Sequence, residues 1–329
     1  MVFKRLLGSL GVGGPTVDTV LPDWTTAPGG TVSGQVHLKG GSGDFEIEHI
    51  TLELVARVEA EYDDDEGHGT VVFERFVVGG GFRLVAGAEH SVPFTVTLPW
   101  ETPITELYGQ RLGIALGVRT ELSVSGAKDK GDLDQLAVGP LPVQEAILEA
   151  FGQLGFGFTS ADLEYGHIGG TGQQLPFYQE IELSPSAQYA HAVKEIELTF
   201  LATPGGTEVV LEADKRGGSF SGGHDVLTRF TVAHDEVGRL DWNAVVDGWV
   251  RQLVEHHSAY DTHASYGHGG GDGGGHRSGP GVGTAVAVGA AGLAVGVVGG
   301  MVAAEVVDEV GDFFEGEDEN EGDDESGED

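Results

Sequence analysis

Histidine side chains concentrated in one glycine-rich stretch are the residues of this chain best suited to bind a metal ion. Neutral imidazole is a good ligand for Zn²⁺, Ni²⁺ and Cu²⁺, and Asp261 and Asp272 could add carboxylate oxygens. The spacing fits no closed site, and a flexible linker would lose chain entropy on forming one. Two interpretations remain. The segment could bind metal weakly, or it could be a spacer whose histidines have no function, and we favour the spacer. The five histidines are His256, His257, His263, His268 and His276.

A second candidate site is the run Asp214, Lys215 and Arg216, which precedes a glycine-rich loop. Adjacent Lys and Arg side chains can bind an anion or an acidic partner through charge-assisted hydrogen bonds. The alternative is a local turn held by salt bridges among these three side chains, and we favour that interpretation.

No pattern of catalytic residues is recognisable. The chain lacks cysteine, which excludes disulfides and a thiolate nucleophile. It has no phosphate-binding loop, zinc-protease helix, nucleophile elbow or calcium loop. Carboxylates are so numerous that no acid–base pair stands out. The sequence therefore predicts a protein that is not an enzyme and that carries no cofactor.

The charge balance excludes another class of function. The chain has 17 basic and 53 acidic residues and a formal net charge of −36. Such a surface repels nucleic acid, because no basic patch exists to displace counterions from phosphates. Abundant acid with scarce lysine is typical of proteins from organisms that live in molar salt, where self-repulsion is screened.

The residues from Thr16 to about Val138 alternate with a period of two between apolar and polar. This pattern predicts antiparallel strands with one buried and one solvent-exposed face, and hence a β-sandwich. Turns rich in glycine separate the strands. The clearest strings are TVSGQVHL, ITLELVARVEAEY, SVPFTVTL and LGIALGV.

A helix is predicted near residues 141–153, because Pro142 lies near its start and Gly155 just past its end. A second run of alternating strands follows it. Next, DWNAVVDGWVRQLVEHH predicts a helix with Asp241 as its N-cap. The predicted core of this second run is Ile181, Leu183, Ile196, Leu198, Phe200, Val209, Leu211, Phe230 and Val232.

The segment 281–304 carries no charge and is long enough to span a bilayer as a helix. Its seven glycines and seven alanines make insertion marginal. Gly292, Gly296, Gly300 and Ala304 repeat every four residues, which places a strip of small residues on one helix face. The segment is therefore first a helix-packing strip, through which copies of the chain could associate, and only second a membrane anchor.

At the other end of the chain, Phe3, Leu6, Leu7 and Leu10 fall on one face of a short helix. This helix could bind a membrane surface or a partner. A cap packed on the first domain is the favoured alternative.

Several strings together resemble the SpoOM-type sporulation-control proteins, which have an arrestin-like fold. The resemblance covers roughly residues 1–240. It implies two arrestin-like β-sandwiches and a regulatory, non-catalytic role through protein partners that the sequence does not name. The strings are FKRLLGSLGVGGPTVDTVL, SVPFTVTLPWETPIT, VRTELSVSGAKDKGDLDQLAV, LPVQEAILEAFGQLGFGFTSADLEYG, LPFYQEIELSP and LEADKRGGSFSG.

The expected protein is thus mainly β: two sandwiches joined by a short helix, then a flexible linker, a glycine-zipper helix and a disordered acidic tail. The leading functional hypothesis is a cytoplasmic adaptor or regulatory scaffold. The alternative is a membrane-anchored envelope or stress protein whose His/Gly segment handles metal. The expected segments are 1–140 and 141–258 for the sandwiches, 259–280 for the linker, 281–307 for the zipper and 308–329 for the tail.

Equilibrium dialysis against Zn²⁺ or Ni²⁺ separates these two hypotheses. We expect the full chain to bind no stoichiometric metal ion, because its histidines match no closed site. Stoichiometric binding that disappears when residues 256–276 are deleted would favour the metal-handling alternative instead.

Overall fold

A computed structural model describes residues 13–21, 25–62, 65–214 and 227–265. Within these ranges, fifteen strands and two helices form two units, with a short 3-10 turn at His234–Glu236. The helices are α1 (Pro142–Gln153) and α2 (Trp242–Ser265). The strands are β1 (Thr16–Val20), β2 (Thr31–Lys39), β3 (Phe45–Tyr62), β4 (Asp65–Gly79), β5 (Phe82–Leu84), β6 (Glu89–Thr97), β7 (Glu106–Leu107), β8 (Gln110–Arg111), β9 (Leu116–Val124), β10 (Lys130–Gln135), β11 (Gly157–Tyr165), β12 (Phe177–Ser184), β13 (Glu195–Thr203), β14 (Gly206–Asp214) and β15 (Thr228–Val232).

The N-terminal unit, strands β1–β10, is a sandwich of two antiparallel layers. One layer has the order β1-β2-β6, and the other has β10-β9-β3 with β4 and β5 paired to β3. Their inward side chains alternate along each strand, so Val36 of β2 and Leu52 and Leu54 of β3 are fully buried between the layers. The alternating pattern of residues 16–138 predicted this mainly β architecture, and the structure confirms it.

The C-terminal unit consists of β11–β15 with α1 and α2. Its strands form one continuous sheet in chain order, and the helices cover its apolar face. Phe230 of β15 stacks on Trp249 of α2 with ring centroids 4.8 Å apart. In the described part of this unit α1 and α2 pack on the sheet, and the second arrestin-like sandwich stays a prediction. Of the nine predicted core residues, eight are buried and Phe230 is half-buried.

Both helices begin where the sequence predicts, and α1 also ends there. Pro142 opens α1, and Gly155 beyond its end has φ +88°, a conformation that glycine adopts without strain. Asp241 caps α2, since its Oδ1 accepts a hydrogen bond from the amide of Ala244 over 3.2 Å. This helix continues to Ser265, past the boundary expected at residue 258. Neither helix in the described ranges is long and apolar enough to cross a membrane.

Truncating Phe151 tests the packing of α1 on the C-terminal sheet. Phe151 is 1% exposed and meets Phe156 edge to face, with ring centroids 5.3 Å apart. We expect Phe151→Ala to lower the free energy of unfolding by about 3–5 kcal/mol in urea denaturation. Glu149→Ala on the exposed face of the same helix is the control, with an expected change within about 0.5 kcal/mol. Equal effects of the two substitutions would contradict this packing.

Candidate functional site

One pair of strands joins the two units into a single ten-stranded sheet. β11 of the C-terminal unit runs parallel to β3 of the N-terminal unit, with Glu164 opposite Glu59. Among the described strands no other pairing crosses between the units. We call this pairing the seam. Its two facing residues carry like charges, which makes the seam electrostatically unusual.

A set of hydrogen bonds, which we call the clamp, holds the loop between β6 and β7 against the C-terminal unit. The side-chain amide of Gln179 accepts from the backbone N–H of Ile104 over 3.0 Å and donates to its carbonyl over 2.9 Å. The carboxylate of Glu101 accepts hydrogen bonds from the backbone amides of Gln174 and Leu175 over 2.7–2.9 Å. Each bond pairs a backbone N–H or C=O group that would otherwise need a water molecule as its hydrogen-bond partner.

An aromatic contact reinforces the clamp. Trp100 of the loop stacks on His234 of the C-terminal unit, with ring centroids 5.4 Å apart and planes 24° apart. Gly29 lies beneath the indole with φ +70°, and a Cβ at this position would come within 2.5 Å of Trp100 Cδ2. Gly29 therefore provides the space in which Trp100 reaches across to the other unit.

Three half-buried carboxyl groups meet beside the seam, and we call them the carboxylate cluster. Oxygens of Asp162, Glu164 and Glu180 lie within 4.8 Å of one another. Burial and the surrounding carboxylates raise the pKa of Glu180 to about 9, and the same causes raise the pKa of Asp162 to about 6. A divalent cation would use such a triad, but at neutral pH the proton on Glu180 already offsets part of the charge. We assign no ion to the cluster.

The same face of the sheet carries a balanced charge group in the N-terminal unit. Glu53 is almost fully buried and accepts hydrogen bonds from Arg75 Nε and Arg119 Nε, each over 2.6 Å. The three residues face one another across β4, β3 and β9. Two guanidinium groups thus compensate one buried carboxylate here, whereas the carboxylate cluster relies on protonation.

A shallow, open groove runs along one side of the N-terminal sandwich. It lies between β4 and β6 and encloses about 500 Å³. In the described ranges β4 pairs only with β3, and β6 only with β2, so both strands present a free edge to the groove. Val77 on β4 is 72% exposed at this edge. The residues that line this open groove are Arg75, Phe76, Val77, Val78, Pro93, Phe94, Thr95 and Val96.

The candidate site residues predicted from the sequence do not lie at the seam, the clamp, the carboxylate cluster or the open groove, as far as the structure describes them. Asp214 ends β14, and His256 is exposed on α2. His257 and His263 belong to the same helix. The remaining candidates lie outside the described residues and stay predictions: Phe3, Leu6, Leu7, Leu10, Lys215, Arg216, His268, His276, Gly292, Gly296, Gly300 and Ala304.

Sequence reasoning missed the carboxylate cluster, although a signal for it existed. The segments DLEY, YQEIEL and KEIEL each alternate an acid with an apolar residue. Because alternate residues of a strand share a face, adjacent strands of this kind must place their carboxylates side by side. Clamp residues Glu101 and Gln179 left no such signal, because their partners are 73 and 75 residues away.

Replacing Gln179 tests the clamp. We expect Gln179→Leu to lower the free energy of unfolding by about 2 kcal/mol, because it leaves the N–H and C=O of Ile104 without partners in a half-buried place. Gln252→Leu on the exposed side of α2 is the matched control, and its effect should be close to zero. Chemical denaturation measures both, and an unaltered stability of Gln179→Leu would show that the clamp contributes nothing.

Comparison with known proteins supports a regulatory rather than a catalytic role. The chain is 38% identical over 221 residues to the "Sporulation-control protein spo0M" of Bacillus subtilis (strain 168), which covers 67% of this chain and 83% of the relative. The crystal structure of Spo0M, sporulation control protein, from Bacillus subtilis matches with a TM-score of 0.64 at 33% identity. That match covers 75% of this chain and all of the crystallised chain.

A family model described as SpoOM protein matches residues 3–217, about two thirds of the sequence. This range contains the sandwich, the clamp, the seam and the carboxylate cluster. The order of elements and the sequence identity agree with this match, and the chain therefore belongs to the SpoOM protein family.

Proposed function

We propose that this protein is a cytoplasmic, non-enzymatic adaptor that regulates its targets through protein–protein contacts. The family membership supports a regulatory role, and the sequence contains no recognisable catalytic motif. The observation that carries the proposal is the open groove, which the free edges of β4 and β6 border on one side of the sandwich.

In this proposal the partner contributes an extended segment that pairs with the edge of β4. Such strand addition takes its affinity from backbone hydrogen bonds and its specificity from pockets for alternate side chains. Val77 stands at the edge, while Phe76 and Val78 point toward the sandwich interior and are half-buried. A partner segment with apolar residues at alternate positions would cover these groups.

The opposite side of the sandwich is closed, which directs a partner to the β4 side. Along that closed side the backbone N–H of Thr19 on β1 donates to Asp132 Oδ2 of β10 over 2.5 Å. The hydroxyls of Thr19 and Thr120 share a further hydrogen bond of 2.6 Å. These bonds occupy groups that an incoming strand would need.

The alternative predicted from the sequence, a membrane-anchored protein with a metal-handling segment, depends on residues 256–307. Most of this range lies outside the described residues. His256 is the only member of the histidine group whose side chain is described, and it is exposed on α2. No described residue adds support to the alternative.

Site-specific photocrosslinking at Val77 tests the adaptor proposal. A photoreactive amino acid at Val77 should capture a defined protein partner in the native host, and the same group at Val85 should not. Val85 is also exposed, at 52%, but it does not line the open groove.

The captured partner, once purified, is then titrated against two variants. We expect Val77→Lys to weaken binding at least about 10-fold, equivalent to about 1.4 kcal/mol, because a charge at a strand edge opposes pairing. Val85→Lys should bind as the unmodified chain does. Equal binding by Val77→Lys, with its thermal unfolding unchanged, would refute the groove as the contact surface.

A further inference from the structure

Arg75 presents its guanidinium group at the border of the open groove. It is the one charged residue among the eight that line the groove. Its Nε donates to Glu53 over 2.6 Å, which fixes the orientation of the side chain, and 66% of that side chain is still exposed. The bond to Glu53 uses Nε, so the two Nη nitrogens have no acceptor among the described residues.

The charge of Arg75 is only partly balanced by its neighbours. Glu53 is shared between Arg75 and Arg119, so these three groups together carry one positive charge. The side chain of Arg119 is 18% exposed and that of Glu53 only 4%. Glu121 on β9 is separated from the edge of β4 by β3. The exposed part of the positive charge is therefore the Arg75 guanidinium, in a chain whose net charge is −36.

The backbone beside this guanidinium group faces the free edge of β4. The N–H of Arg75 donates to the carboxylate of Glu74 over 3.0 Å, so it points away from β3. Because backbone groups alternate along a strand, the N–H and C=O of Val77 point to the same free edge. The pairing of β4 with β3 is regular from Glu74 to Val77 and shifts register on either side of this stretch. A partner strand in the groove thus meets four regular residues, and its carbonyl would replace the carboxylate of Glu74.

The side chains of Arg75 and Val77 lie two residues apart on one face of β4, so a paired strand places its own side chains opposite them. An apolar side chain opposite Val77 would cover the exposed valine. A carboxylate opposite Arg75 would accept charge-assisted hydrogen bonds from the Nη nitrogens. A side chain without an acceptor would instead leave these donors unpaired once the partner excludes water, which costs binding free energy.

We propose that the segment bound in the open groove carries an aspartate or glutamate two residues from an apolar residue, and that the Arg75 guanidinium binds this carboxylate. The inference rests on the adaptor function proposed above and names the chemistry of its partner. The free edge of β4 supplies backbone hydrogen bonds to any extended segment, and Arg75 selects among such segments. Because Glu53 already holds the Arg75 side chain in place, little rotamer entropy is lost on binding.

Selection of short random peptides displayed on phage, with the full chain as bait, tests this inference. Val77→Pro identifies the peptides that use the groove, because it removes an N–H that faces the partner and none that bonds β3. We expect these peptides to be enriched in an acid two residues from an apolar residue. One of them is then synthesised, and its Kd is measured by fluorescence anisotropy. Replacing its acid by the matching amide should weaken binding to the unmodified chain about 10-fold.

Two variants of the chain make the result specific. Arg75→Gln should weaken binding of the acidic peptide about as much, and it should bind the acidic and amide peptides equally, because both replacements remove the same contact. Arg83→Gln is the matched control. Arg83 is also exposed and also paired with a carboxylate, that of Asp44, but it does not line the groove. This control should distinguish the two peptides as the unmodified chain does.

Groove-dependent peptides that lack an acid, or that bind folded Arg75→Gln as tightly as the unmodified chain, would overturn this inference and leave the adaptor proposal intact. An equal loss of binding in Arg83→Gln would reduce the effect to long-range charge and would also overturn it. If no selected peptide depends on Val77, both proposals fail. If circular dichroism shows that Arg75→Gln does not fold, the comparison of acidic and amide peptides on the unmodified chain still decides the question.

Discussion

The parallel pairing of β3 with β11 is the constraint on which the rest of this structure depends. Because of it, strands from both units share one sheet, and any twist or slip in one unit is transmitted to the other. The pairing is short, with a single residue pair, Glu59 and Glu164, in register. So short a ladder needs support from elsewhere, and the clamp around Glu101 and Gln179 supplies it through uncharged or backbone-directed hydrogen bonds.

The N-terminal sandwich is asymmetric because only one of its two sides is sealed. On the closed side, the carboxylate of Asp132 on β10 accepts a hydrogen bond from the backbone N–H of Thr19 on β1. A side chain thus occupies a backbone donor at the edge of the β1 layer. Between β4 and β6 the described side chains form no equivalent bridge, and apolar groups line the space. A long free strand edge tends to pair with another chain, which in a regulatory protein is a useful property.

Local patterns in the sequence predicted strands, the starts of both helices and the end of α1, since these depend on near neighbours. Alternation placed Val36 and Leu52 inside, and Asp241 was identified as a cap because its partner is three residues away. What covers the second sheet could not be predicted, because an apolar strand face is satisfied equally by helices or by strands. The clamp and the cluster were also missed, because both form only when distant strands come together.

Two charged groups on the outer face of the sheet are compensated in different ways. In the N-terminal half, Glu53 accepts hydrogen bonds from Arg75 and Arg119, so two guanidinium groups compensate its buried charge. In the C-terminal half, burial and neighbouring carboxylates raise the pKa of Glu180, and no cation is among the causes. A bound proton, rather than a guanidinium group, removes the negative charge of Glu180. A proton can be lost as the pH rises, whereas arginine keeps its charge through the same range. The carboxylates that oppose the ionisation of Glu180 lie on β11, β13 and β14, so this titration acts on the packing of the C-terminal sheet.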